Sequence, residues 1–157
     1  MGVKSRINYL RRIFVTYIVR RNSQLTFFHE KPDVNEDAVV GEIGQYYMSF
    51  LHKANYPGPF DNDGIPLINY RGVIGKQYCP VAVAQYGLGH YNLYKKTGSK
   101  KNVEIAIRQA DWLIANLEKN DKGVPVWMFH FDWEYLGGKL KSPWYSALSQ
   151  GNGVSLL

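Results

Sequence analysis

A chain of 157 residues with 45% apolar and 20% charged content holds enough hydrophobic side chains for the core of one globular domain, which excludes an intrinsically disordered segment. Its one cysteine, Cys79, excludes an internal disulfide, and no Cys/His spacing suits a zinc site. The net charge of +6 favours an acidic partner, whether nucleic acid, anionic lipid or a uronate polymer, without choosing among them.

Residues 1–21 carry Lys4, Arg6, Arg11, Arg12, Arg20 and Arg21 and no acid. Without them the rest of the chain is close to neutral, which weakens the case for nucleic acid, and no RNA-binding or helix-turn-helix signature supports that case. The apolar run 13–19 is too short for a bilayer span, which takes about 20 residues, and Arg20-Arg21 stands where a secretory signal has small residues. Two readings remain open. One is a basic amphipathic anchor for a membrane surface or a partner; the other, preferred, is a surface helix of a cytoplasmic protein. Residues 1–35 are thus read as a basic arm and linker, and 36–157 as the domain. The stretch LTFFHEKPDVNED, punctuated by Pro32, is a linker or a cover segment laid over that domain.

Residues 43–54 fit neither the helical nor the strand period. The next twelve, NYPGPFDNDGIP, form a loop. Its Tyr56, Phe60, Asp61 and Asp63 suit a sugar site, because aromatic faces stack on sugar C–H surfaces and carboxylates accept hydroxyl hydrogens. A purely structural turn is the preferred reading, and the DxDG string is similar to the opening of a calcium loop without its later ligand positions.

Pro80 suits a first helical position, and the helix it opens is expected to reach Tyr94, with Gly98 as its stop. Ser99 caps a second helix whose apolar stripe is Val103, Ile107, Ala110, Ile114 and Leu117, a spacing that traces one core-seeking face. Trp112 is expected in the core. Residues 120–123 make a turn, and GVPVWMFHFDW is apolar on both alternating faces, so it is expected to be an extended segment buried on two sides. After a glycine turn at 137–138, Ser142-Pro143 is expected to cap a third helix running through Trp144, Ala147, Leu148 and Gly151 to the chain end. Leu156 and Leu157 finish without a stop signal. The preferred expectation is a truncated chain that exposes apolar surface and self-associates as a homo-oligomer, and the alternative is that Leu156 and Leu157 dock onto the earlier helical hairpin.

Several side chains suit a ligand-facing wall, each weighed against ordinary packing. Gln85 is placed to bond a sugar hydroxyl, and Tyr86 and His90 share a helix face on which they can meet a carboxylate. Trp144 suits a stacking platform, with Tyr145 beside it and Gln150 as a donor. Arg71 and Lys76 are the local counter-charges for a uronate. His130, followed by Asp132 and Glu134, has the order of a general base with an orienting acid, but a buried, hydrogen-bonded histidine is preferred. Cys79 is read as a small buried hydrophobe.

The run YYMSFLHKANYPGPFDNDGIPLINYRGVIGKQYCPVAVAQYGLGHYNLYKKTG, with QADWLIANLE, GVPVWMFHFDWEY and SPWYSALSQGNGVSLL, resembles the C-terminal domain of bacterial-type D-glucuronyl C5-epimerases. AQYGLGHY and PWYSALSQG carry the resemblance most specifically. It implies a mainly α fold, an incomplete (α/α) toroid of antiparallel helix pairs, to which the extended segment above adds a buried β-hairpin. It also implies conversion of D-glucuronate to L-iduronate in a heparosan-like acidic polysaccharide, with no metal and no redox cofactor. The tyrosines, glutamate and arginine that such enzymes use for proton transfer match positions beyond Leu157. No catalytic residue is therefore assigned within this chain. A non-catalytic polysaccharide-binding module and a toroid-type uronate lyase or glycosidase are the alternatives.

Overall fold

In this computed structural model the described residues are 7, 10, 11, 13–19, 27, 28, 33–41, 44–70, 72–135 and 138–157. The central element is helix α1, Pro80–Thr97, opened by proline at its first position, where a missing N–H costs nothing. It closes on Gly98, whose φ of 69° lets its N–H reach the Tyr94 carbonyl at 2.7 Å. Ala82, Val83 and Ala84 are fully buried. Two glycines let neighbours press against α1. A Cβ at Gly89 would lie 2.5 Å from the Phe50 carbonyl oxygen, and one at Gly87 would overlap Leu156 and crowd Gln109. A helix approached from several sides has no polar face to offer, and AQYGLGHY is the sequence of such a helix.

Helix α2, Lys100–Ala115, folds back on α1. Its buried face is Ala106, Gln109 and Leu113. The expected stripe is turned outward instead, leaving Ile107 and Ile114 54% and 61% exposed. Partners decide this rotation of about 100°. Gly87 admits Gln109, and Trp127 Nε1 donates to the Leu113 carbonyl at 2.7 Å. Trp112 is partly buried against the second of two hydrophobic clusters.

Helix α3, Ala147–Leu156, starts later than expected from Ser142-Pro143, because the Trp144 backbone pairs with Phe129 in both directions (2.6 and 3.1 Å) and so cannot be helical. Ser146 takes over as the cap, its Oγ accepting from the Ser149 N–H at 3.2 Å. Leu156 packs into the core, whereas Leu148, Val154 and Leu157 stay exposed.

The expected mainly α toroid is not what this chain forms. Besides α1–α3, the described residues form three two-stranded antiparallel sheets: β1 (Leu67–Asn69) with β2 (Lys76–Tyr78), β3 (Glu118–Lys119) with β4 (Pro125–Val126), and β5 (Trp133–Tyr135) with β6 (Gly138–Leu140). A toroid needs helix pairs repeated around a ring, and here one helical pair and one short helix are joined by proline- and glycine-rich segments that pair as strands. The hairpin expected to be buried is corrected too. Residues 127, 129 and 131 do turn Trp, Phe and Phe inward, but the β5–β6 hairpin after them lies at the surface, with Glu134, Tyr135, Lys139 and Leu140 exposed.

The first cluster holds Tyr56, Ile68, Tyr70, Ala82, Tyr86, Phe129 and Phe131, with Phe27 and Phe28 packed against it. Lys53 is buried beneath this aromatic cover, its ammonium donating to the Phe27 carbonyl at 2.9 Å and lying 5.3 Å from the Phe28 ring centre. Buried Asn92 ties the preceding loop to α1. It accepts from the Tyr46 N–H at 2.8 Å and donates to the Met48 and Ser49 carbonyls at 2.9 Å. The described part of the arm leaves Ile7, Leu10, Phe14 and Ile18 exposed. Among the described residues, no helix is long and apolar enough to cross a membrane.

Candidate functional site

A cleft of about 670 Å³ lies between the loop Phe60–Gly64 and the sides of α1 and α2 that carry Tyr86, Ile105 and Arg108. The loop is built around Asp61. Its Oδ1 accepts from the backbone N–H groups of Asp63 (3.0 Å) and Ile65 (2.8 Å), which closes the turn at the tip of an antiparallel bridge between Phe60 and Pro66. Its Oδ2 accepts from the Tyr78 hydroxyl at 2.7 Å, anchoring the loop to β2. That bond pushes Tyr78 up to about 12, so it stays a donor. From below, the Gln109 amide donates to the Gly64 carbonyl at 3.4 Å, and the Tyr56 hydroxyl to the Leu67 carbonyl at 2.6 Å.

Gly64 is required by its backbone and lies against the movable tip of Arg108. Its φ of +78° is left-handed, and an added Cβ would lie 2.9 Å from Arg108 Nη1, so the guanidinium rests directly over the turn. Tyr86 and Phe60 face one another with ring centres 5.5 Å apart. Burial raises the Tyr86 hydroxyl above the ordinary tyrosine range, and the charge of Arg108 only partly opposes this. Tyr86 is therefore protonated at neutral pH and serves as a donor, not a base. Together these groups offer aromatic surface, one guanidinium, and carboxylate and amide acceptors on the loop. They can seat a saccharide ring, hold one carboxylate, and accept hydroxyl hydrogens.

Of the residues singled out in the sequence, Tyr86, Phe60, Asp61 and Asp63 converge here. Arg71 lies outside the described residues. Lys76 is an exposed residue of β2. Gln85 points to α3, donating to Asn152 Oδ1 at 3.0 Å. His90 sits one turn beyond Tyr86, ring against ring, with Nδ1 2.9 Å from Asn102 Oδ1. Trp144 stacks on Phe129 with centres 4.1 Å apart and donates to the Phe131 carbonyl. Gln150 accepts from the Trp127 N–H and donates to its carbonyl, both at 3.1 Å, in place of a strand partner. Tyr145 is exposed beside Asn120. The third-helix group therefore braces the segment 127–131 and does not line the cleft. His130 is exposed, not buried, and lies 2.6 Å from Glu118; its neighbours Phe129 and Phe131 point inward and leave it outward. Asp132 pairs with Lys139 instead of orienting it. Burial pushes the Cys79 thiol up, which makes it a poor nucleophile.

Arg108 was not legible as a site residue. It stands between outward Ile107 and buried Gln109, and nothing in the helical period separates it from a solvated surface cation.

Burial holds the His90 imidazole below its ordinary range, against the pull of Asn102. The unfolded chain then binds this proton more readily than the folded one. The contribution of neutral His90 is full above the ordinary histidine value of 6.5 and is lost as pH falls toward the folded value. The urea midpoint should drop between pH 7.5 and 5.5, and His90→Gln should flatten that slope. An unchanged slope in the variant would refute the assignment.

No family model, curated protein or solved structure matches the chain.

Proposed function

We propose that this chain forms the saccharide-binding part of a uronosyl C5-epimerase acting on D-glucuronate in a heparosan-like polysaccharide. The observation that carries the reading is the meeting, in one cleft, of Tyr86 from the epimerase-like AQYGLGHY with Phe60 and the Arg108 guanidinium. The C5 hydrogen lies α to a carboxylate whose charge resists a second anion. A cation on that carboxylate therefore lowers the cost of taking the proton from one face and returning one to the other. Arg108 is suited to that task, and Phe60 and Tyr86 to seating the ring.

A second reading is binding without turnover. It is favoured by Tyr86 itself, which burial keeps protonated, since inversion needs a base on one face and an acid on the other. Proton NMR in deuterated solvent separates the two. The expected result is that the 157-residue chain binds a glucuronate oligosaccharide, more weakly as salt rises, without washing out its C5–H signal, whereas a longer product of its gene, if the gene encodes one, washes it out. Loss of the signal with the 157-residue chain would place the acid and base among residues named here. No loss with either chain would leave the binding module as the better account.

A further inference from the structure

None of the described residues of the basic arm lines the cleft. On the arm Ile7, Leu10, Phe14 and Ile18 are each more than half exposed. Residues 7, 10, 11 and 13 are α-helical, and Phe14–Ile18 continue as a π-helix. Steps of three, four and four along such a backbone put the four apolar side chains on one face. The wider π-turn keeps Ile18 in line with Phe14. A surface helix of a globular protein turns its apolar stripe toward the core. This one turns it to solvent, whereas Phe27 and Phe28, farther along the chain, pack on the first cluster.

Charge limits what can cover the stripe. Residues 1–21 hold six cations and no acid, and the first acid of the chain is Glu30. Those six equal the whole net charge of +6, so the arm is the basic part of the molecule. A second copy laid on the stripe would bring six more cations against them. A polyanion such as nucleic acid or a uronate polymer neutralises the arginines but leaves the apolar side chains in water. A lipid surface with anionic headgroups meets both needs. None of the described helices is long and apolar enough to go through it. We propose that the arm docks on an anionic lipid surface, inserting Ile7, Leu10, Phe14 and Ile18 below the headgroups and setting its lysine and arginines against the headgroup phosphates. This stands apart from the uronate reading.

The test is co-sedimentation of the full chain with vesicles across a salt series. One set is phosphatidylcholine alone, and the other is an equal mixture of phosphatidylcholine and phosphatidylglycerol. Binding to the mixed vesicles is expected to be at least about ten-fold tighter and to weaken as salt rises. Arg11→Gln with Arg12→Gln should weaken it about twenty-five-fold, from about five-fold per charge at the surface. Phe14→Ser with Ile18→Ser leaves the charge unchanged and should weaken it about ten-fold or more, the low end of what burying one such side chain contributes. Val73→Ser trims a fully exposed valine outside the arm and should bind as the wild type does. No binding to the mixed vesicles, or equal binding to the neutral ones, overturns the inference. Full binding by the double serine variant also overturns it, because charge alone would then hold the arm, as it would on any polyanion. A loss in Val73→Ser as large as in the arm variants would take the binding site off the arm. A lipid-free dimer that the double serine variant dissolves, with no vesicle binding by the wild type, would give the stripe to a second copy instead.

Discussion

Replacing Trp127 with alanine is expected to lower the unfolding free energy by about 3–5 kcal/mol, the range for deleting a buried aromatic side chain. Trp127 is 3% exposed and contacts both α2 and α3 from the extended segment 127–131. Its indole N–H satisfies the Leu113 carbonyl near the end of α2. Its main chain is bonded at both ends by Gln150 of α3. Its ring presses so closely on Gly153 that a Cβ there would overlap it. Truncation removes the packing, leaves a buried carbonyl without its donor, and opens a cavity that α3 cannot close without losing the Leu156 contact with α1. Urea unfolding followed by circular dichroism measures the effect. Trp144→Ala is the comparison, with a smaller expected loss, because Trp144 is only partly buried and its stacking on Phe129 is replaceable by solvent at one edge. A loss under about 1 kcal/mol for Trp127→Ala, the level of a surface change, would mean that the segment 127–131 does not bind α2 and α3 together.

The same residues show why the sequence was only partly readable. The limits of α1 were legible because they are set by local chemistry: a proline that has no N–H to lose and a glycine that adopts the left-handed cap. The burial of α2 was not, because two apolar stripes compete on that helix, and the winner is chosen by Gly87 and Trp127, which are distant in sequence. The start of α3 was misplaced for a related reason, since the pairing of Trp144 with Phe129 outweighs a good capping pair at Ser142-Pro143. Architecture failed furthest. The proline- and glycine-rich connections read correctly as loops and extended segments, but the resemblance placed them within a toroid, and they pair instead as short strands. In the cleft, the loop aromatics and carboxylates were recognisable by type. Arg108 was not, since its role comes from lying across a glycine turn that only the folded chain brings to it.

Arg108→Gln is expected to weaken binding of an unsulfated glucuronate oligosaccharide ten-fold or more, because hydrogen bonds to charged groups contribute about 1.5–3 kcal/mol. It should also flatten the salt dependence, since the one cation among the described residues that line the cleft is gone. Stability should change by no more than about 0.5 kcal/mol, as Arg108 is exposed on the surface of α2. Arg108→Lys keeps the charge but not the planar fork, so it should recover part of the affinity and most of the salt dependence. Gly64→Ala tests the same geometry from the other side of the contact. The new methyl carbon would stand 2.9 Å from Arg108 Nη1 on a backbone with φ of +78°, so the guanidinium must shift. The strained turn should cost about 1–2 kcal/mol of stability, and affinity should fall with Arg108 still present. Calorimetry across a salt series on all three variants reads these effects. Were Arg108→Gln to bind the oligosaccharide as tightly as the wild type with the same salt slope, the carboxylate would not sit on Arg108, and the cleft beside Phe60 and Tyr86 would not be the uronate site.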